Sequence, residues 1–281
     1  MSATLSQLFL YPIKGCRGIA LGEATLAATG LEVDGIGDRE WVIVDADGEF
    51  LSQREYPKLA LVETRLAPGS LRLKAPGMLQ LEVPFASEGD VVKARVWQDV
   101  VSAVTQGEVA DAWFSNFLGI PARLLRFDPE HTRLAGHRWT GKDDAPYKFA
   151  DAFPLLVTSE ASLADFNRRL QKQGHAAIEM QRFRPNLVLA GIEAYEEDYI
   201  DRISLGGVTM RVVKPCARCT VPGVDPATGE ASTVVPDLLA TYRGRSGGEP
   251  QGVMFGVNAI VTSGAGGTLH VGSDAEVVLR L

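Results

Sequence analysis

Short runs of apolar and β-forming residues dominate the N-terminal part of the chain. Residues 5–13 form one such run, ending around Pro12 and Gly15. Trp41-Val42-Ile43-Val44 leads into Asp47-Gly48, a strong hairpin-turn pair, and then Glu49-Phe50-Leu51. Further runs follow at 59–66, 71–74, 79–83 and 91–96, each with Gly, Pro or Asp nearby. Many short strands at this spacing predict a barrel or sandwich and not a doubly wound parallel sheet. From Met254 to Leu281 the pattern returns to strands, broken by Ser263-Gly264-Ala265-Gly266-Gly267, which reads as a hairpin loop.

Helical periodicity is rarer. Residues 109–118 would place Val109, Trp113, Phe117 and Leu118 on one face. Residues 159–173 gather Leu163, Phe166 and Leu170, with Ser159 or Ser162 as N-cap and Gly174 as stop. A third helix over 237–243 has Pro236 at its first turn. Residues 131–148 are polar and carry Gly136, Gly141 and Pro146, the pattern of a long loop between two domains or over an active site. With 281 residues, one large or two medium domains are expected, divided as 1–125 and 126–281.

Composition narrows the partners. The net charge of −7 argues against a general nucleic-acid binder, which needs a basic face, yet leaves room for a local basic pocket. Met1-Ser2-Ala3-Thr4-Leu5 is not a basic stretch before an apolar run, and no segment is apolar over the ~18 residues a membrane helix requires. A cytoplasmic protein with no membrane partner is expected.

Cys16, Cys216 and Cys219 are the three cysteines, too few and odd in number for a disulfide framework. Cys216-Ala217-Arg218-Cys219 has several readings. Zinc wants about four ligands, and neither a second cysteine pair nor a suitable histidine spacing is present. A thioredoxin-like pair should open a long helix, but Pro222 and Gly223 follow at once. Two small buried hydrophobes remain possible. Lys214 and Arg218 flank the pair, and nearby cations favour the thiolate that ligates soft metals.

Several motifs together resemble one family. Phe183-Arg184-Pro185-Asn186, Tyr195-Glu196-Glu197-Asp198, Pro215-Cys216-Ala217-Arg218-Cys219 and Val224-Asp225-Pro226-Ala227-Thr228-Gly229 are similar to the MOSC domain, in the branch that holds the bacterial YcbX proteins and the mitochondrial amidoxime-reducing component. Tyr11-Pro12-Ile13-Lys14-Gly15-Cys16-Arg17-Gly18, Gly37-Asp38-Arg39-Glu40-Trp41 and Phe50-Leu51-Ser52-Gln53-Arg54 resemble the β-barrel domain that precedes it, and Val271-Gly272-Ser273-Asp274 its closing strand. The resemblance implies an α/β, β-rich fold: an N-terminal MOSC β-barrel domain plus a barrel-like MOSC domain with a few helices, binding a molybdenum cofactor (molybdenum-molybdopterin). It makes Cys219 the metal ligand and, with Asp151, the catalytic pair. Lys14, Arg39 and Arg184 would hold the cofactor, with Asn186 and Arg218 behind them. Arginine's planar fork suits a phosphate or a flat pterin.

Departures from the family pattern line the same site. Gly15 stands where serine is frequent, Ala152 and Phe153 where the amidoxime-reducing branch has hydroxyls, and Pro222-Gly223 where Thr-Thr is frequent. Taken alone, Asp38-Arg39 would be a surface ion pair, and Pro185 would make Arg184 extended.

The implied activity is two-electron reduction of hydroxylaminopurine-like or amidoxime-like small molecules. Electrons would come from a separate ferredoxin-like or flavin-containing protein, since neither an iron–sulfur cysteine cluster nor a dinucleotide-binding glycine loop is evident. A sulfur carrier working through a cysteine persulfide, or a non-catalytic cofactor-binding protein, are the alternatives.

Overall fold

The computed structural model describes residues 1–86, 88–247 and 249–280. Seven strands close into a barrel in the order Leu155–Ser159, Leu187–Ala190, Ser2–Leu10, Asp274–Leu279, Ile200–Leu205, Val208–Arg218 and Gly252–Ser263, and the last pairs back with the first. Closure leaves no unpaired strand edge. Only Leu155–Ser159 and Leu187–Ala190 run parallel. Val208, Met210 and Val212 face inward from one strand and Leu187 and Leu189 from another, the period of two that a half-buried strand requires.

The first strand of the chain is thus built into the same barrel as the last. Ser2–Leu10 pairs with both Leu187–Ala190 and Asp274–Leu279. The rest of the N-terminal part forms smaller sheets. In the one nearest the site, Trp41–Val44 pairs with Arg123–Phe127, which continues to Asp99–Thr105 and Val91–Val96. Ile13, Trp41, Leu59 and Phe114 belong to a second core beside the helix Glu108–Leu118.

The β-rich fold is as expected, with four α-helices among the described residues. None is long and apolar enough to cross a membrane. Details differ where tertiary contacts override the pattern. Over 59–66, Pro57 starts a 3-10 turn, Pro57–Leu61, and the strand begins only at Glu63. In Glu108–Leu118 the buried face is Ala110, Trp113, Phe114 and Leu118, while Val109 is 75 % exposed. The Trp113 indole donating to the Leu79 carbonyl at 2.7 Å and Asp111 accepting from the Leu124 amide at 2.9 Å set that rotation. The third long helix starts at Val234, so Pro236 is its third residue, still inside the first turn where amides lack partners. Glu160–Lys172 keeps its predicted cap: the Ser159 hydroxyl accepts from the Ser162 amide at 3.1 Å.

The glycine run near 264 is not a hairpin loop. The following strand, Gly267–His270, pairs with Glu23–Ala27 instead of with its predecessor. The chain crosses between sheets there, and Gly264, with φ 71°, lies so close to the Gly207 carbonyl that a Cβ would sit 2.1 Å from it.

Candidate functional site

Two arginines occupy the left-handed backbone region, Arg39 at φ 48° and Arg184 at φ 55°. Each costs about 1 kcal/mol for a non-glycine residue. Arg184 is therefore not extended, although it precedes Pro185. Hydrogen bonds hold both conformations. The Arg39 amide donates to the Tyr11 carbonyl at 2.7 Å, and the Arg184 amide to the Gln181 carbonyl at 3.0 Å. Arg39 Nη2 donates to the Arg184 carbonyl at 3.1 Å. The Arg39 and Arg184 guanidinium carbons lie 4.4 and 4.3 Å from the centroid of the Tyr11 ring.

Arg39 also pairs with Asp38, whose other oxygen accepts from the Tyr11 amide at 2.9 Å. Asp38 is 3 % exposed, so this is a buried strut and not a surface pair. Asn186 is buried too. Its amide group contacts Arg39 Nη1 at 3.3 Å, the Leu156 amide at 3.1 Å and the Phe9 carbonyl at 3.3 Å. The Asn186 side chain is committed to the scaffold.

The segment leading to Asp151 is tied down from several sides. The Phe149 amide donates to the Arg39 carbonyl at 3.0 Å. Buried Arg133 donates to the Lys148 and Ala150 carbonyls at 2.9 and 3.0 Å and pairs with Asp99 at 2.6 Å. Lys14 Nζ donates to the Phe149 carbonyl at 2.9 Å and to Asp151 Oδ1 at 2.5 Å. The polar stretch 131–148, expected as a loop, is thus a brace; it contains the one-turn helix His137–Thr140 and buries Ala135, Ala145 and Tyr147.

Burial lowers the Lys14 ammonium from its ordinary value, with Asp151 partly restoring it. For Asp151, desolvation pushes upward, but the Lys14 charge, the Lys14 hydrogen bond and the Trp97 indole together hold the carboxyl below the usual range. Asp151 is a carboxylate at every ordinary working pH.

The cysteine pair sits at the end of Val208–Arg218. This strand shifts register against Gly252–Ser263 at three places, including Val212/Lys214 and Pro215/Ala217. Bulges re-aim side chains, and Pro215, which has no amide to give a ladder, is tolerated at one. Lys214, Cys216, Ala217, Arg218 and Cys219 consequently line one cavity. The chain then turns through Val221–Gly223, where a Cβ on Gly223 would lie 2.1 Å from the Ser232 carbonyl. No long helix follows the pair. Arg218 Nη1 donates to Cys216 Sγ at 3.2 Å and Nη2 to the Phe183 carbonyl at 2.7 Å. Cys219 is exposed, and Cys16 is fully buried, its thiol pushed up to about 12 by burial.

The cavity has a volume of about 360 Å³. Lys14, Arg39, Asp151, Arg184, Asn186, Arg218 and Cys219, from distant parts of the sequence, all border it. Sequence reasoning placed Phe153 at the site but missed the rest of its aromatic wall, Phe50 and Trp97. One signal was available: Trp97 occupies a two-residue hairpin turn, where glycine is the usual choice.

The donor set suits an anionic, metal-bearing group. Arg184 Nη2, Arg218 Nε and the Tyr11 hydroxyl are buried without a hydrogen-bond partner. Among the described residues neither Arg184 nor Arg218 has a carboxylate partner. Burial, with Arg39 alongside, lowers the Arg184 guanidinium to about 10. Half-buried cations with a buried, unpartnered N–H and no carboxylate beside them suit an anion. No three His, Cys, Asp or Glu side chains among the described residues converge on a metal-sized point. A metal bonded to Cys219 would have to bring most of its ligands with it.

Residues 2–121 match the model of the MOSC N-terminal beta barrel domain and residues 144–276 that of the MOSC domain. The chain is 35 % identical over 246 residues to the mitochondrial amidoxime reducing component 2 of Bos taurus, covering 85 % of this chain and 72 % of the relative. It is 33 % identical over 246 residues to the protein of that name from Homo sapiens and 34 % identical over 248 residues to the human mitochondrial amidoxime-reducing component 1, with the same coverage of each. The chain belongs to the MOSC family, in the two-part form that pairs a MOSC N-terminal barrel with a MOSC domain and includes the mitochondrial amidoxime-reducing components.

Proposed function

We propose that this chain is a molybdenum-cofactor-dependent oxidoreductase that reduces small N-hydroxylated molecules, of the amidoxime or hydroxylaminopurine kind, to the corresponding N–H compounds. The observation that carries this reading is the convergence of two half-buried guanidinium groups without carboxylate partners, each with one buried unpartnered nitrogen, and an accessible thiol on one cavity, in a chain whose relatives are named amidoxime-reducing components. Reduction of N–OH to N–H consumes two electrons and two protons and releases water. The molybdenum cofactor, when bound, supplies the two-electron redox step.

The residues divide the remaining work. Arg184 and Arg218 would meet the phosphate and pterin with planar, charge-assisted donors. Arg39 is already engaged by Asp38, Asn186 and the Arg184 carbonyl, so it orients its neighbours and adds positive field. Cys219 would supply the protein's thiolate to the metal. Asp151 presents an ionised carboxylate at the cavity mouth that can accept a hydrogen bond from a substrate N–OH or N–H. Ala152 and Phe153 make that wall apolar. Electrons would arrive from a separate ferredoxin-like or flavin-containing protein.

The test joins elemental analysis to turnover. Purified protein should carry stoichiometric molybdenum and convert benzamidoxime or a hydroxylaminopurine to the N–H product with reduced viologen as donor, but not with NADH alone. Protein from molybdenum-replete cells that holds neither molybdenum nor pterin, and turns over neither substrate, would refute the reading. A stable persulfide on Cys219 in place of molybdenum would mark a sulfur carrier instead.

A further inference from the structure

Trp97 is conspicuous in several independent ways. Val96 pairs with Asp99, so Trp97 and Gln98 form a two-residue hairpin turn. Trp97 takes φ 58° at the first turn position, which such turns ordinarily give to glycine. A bulky residue there is strained, and persists where something else fixes it. Packing does not supply a reason: Trp97 is 42 % exposed and belongs to none of the hydrophobic clusters.

Its contacts point into the site. The indole Nε1–H donates to Asp151 Oδ1 at 3.1 Å. The edge of its ring meets Phe50 at 4.6 Å between centroids, and the Arg54 guanidinium lies 4.3 Å from the ring centroid. Phe50, Arg54, Trp97 and Asp151 all line the same cavity. Trp97 and Lys14 therefore share one carboxylate oxygen, and among the described residues Asp151 Oδ2 has no donor.

We propose that Trp97 is a positioning residue: with Lys14 it anchors Asp151 Oδ1, so that Oδ2 stands as a fixed, ionised acceptor for the donor group of the substrate. This rests on the reductase reading for its consequence, but not for its geometry. Lys14 alone would leave the carboxylate free to rotate about its single anchored oxygen. The indole N–H adds a second direction, and Phe50 and Arg54 keep the indole from swinging away. The strained hairpin is the means by which a donor from the N-terminal part reaches a carboxylate carried on the far side of the cavity.

The first experiment needs neither cofactor nor turnover. The chain has four tryptophans, so indole ¹⁵N–¹H spectra give four resolvable signals, and Trp97→Phe assigns the one concerned. Asp151→Ala should move that signal and speed its exchange with water, leaving the other three in place. An unmoved Trp97 signal overturns the proposal. The second is a double-mutant cycle in the viologen assay. Trp97→Phe, which keeps a ring but removes the donor, should lower kcat/KM about tenfold, the scale of one hydrogen bond to a charged group. In an Asp151→Ala background the same substitution should change nothing further; full additivity would overturn the proposal. Absence of turnover in the wild-type chain would sink the reductase reading instead, with the indole spectra still deciding whether Trp97 holds Asp151.

Discussion

Replacing Arg184 by alanine separates cofactor binding from folding, because its contributions to the two have opposite balance. In the free protein the guanidinium gives a charge-assisted hydrogen bond to the Cys16 carbonyl at 2.6 Å, roughly 1.5–3 kcal/mol. Its stacking on Tyr11 adds about 0.5–2 kcal/mol. Against these stands the burial of a cation beside Arg39. The drop of its pKa from 12.5 to about 10 is worth roughly 3 kcal/mol against the charged form. These terms nearly cancel, so the cofactor-free Arg184→Ala protein should melt within about 5 °C of the cofactor-free wild type. With the cofactor present the cation is compensated, and truncating one partner of a buried charge pair typically costs about 2–5 kcal/mol. Affinity should fall by roughly 30-fold to a few thousand-fold. Molybdenum per polypeptide, measured beside melting curves of both forms, is the assay. Full molybdenum occupancy in Arg184→Ala, or a fall of more than about 15 °C in the cofactor-free melt, would refute this reasoning.

Three further outcomes are expected. Cys219→Ala should abolish reductase activity and metal retention, whereas Cys216→Ala, which removes only an acceptor for Arg218, should keep much of both; equal loss in two folded variants would refute the asymmetry. Iodoacetamide on native cofactor-free protein at pH 8 should label Cys216 and Cys219 but not Cys16, whose thiol is buried and pushed up to about 12; a third label without denaturant, counted by mass spectrometry, would contradict that placement. Glu197 is fully buried, with Oε2 accepting from the Ser159 and Ser162 hydroxyls and Oε1 unpartnered, and burial raises its carboxyl above the ordinary value. Its raised folded-state pKa gives stability that is complete below the unfolded value near 4.5 and is lost as pH rises through the folded value. Glu197→Gln should therefore melt higher than wild type at pH 8, with the gap closing near pH 4.5; a gap independent of pH would refute the assignment.

The strands were legible because their period of two and their turn pairs are local. The barrel's closure was not, since nothing in residues 2–10 announces that they pair with both 187–190 and 274–279. The site shows the same division. Cys219 and Arg184 stood out through the motifs around them, and the cavity does bring them together. Asn186 and Lys14 were named alongside them, but sequence could not reveal that Asn186 is committed to the scaffold or that Lys14 is anchored to Asp151. Those facts depend on contacts between residues 137 positions apart for Lys14 and Asp151 and 147 for the Arg39–Asn186 pair. Val109 failed for a related reason: one indole hydrogen bond to a distant carbonyl rotates a helix that periodicity alone would have set differently.

The cavity's charges explain why a chain of net charge −7 can offer an anion site at all. Its basic groups are not equivalent. Lys14 is matched by Asp151, Arg39 by Asp38, and Arg133, just behind, by Asp99. Each of these pairs fixes a piece of backbone or a carboxylate, and together they bind the N-terminal segments to the loop before Asp151. Among the described residues Arg184 and Arg218 are left without a carboxylate, as are Arg54 and Lys214 on the same cavity, and the first two each keep a buried N–H unpartnered. A phosphate monoester carries a charge of about −1.5 to −2 at neutral pH, which two guanidinium groups can balance. The matched pairs hold the walls rigid at no net charge, and the unmatched ones supply the attraction. Pairing either arginine internally would leave the cofactor's phosphate without a partner.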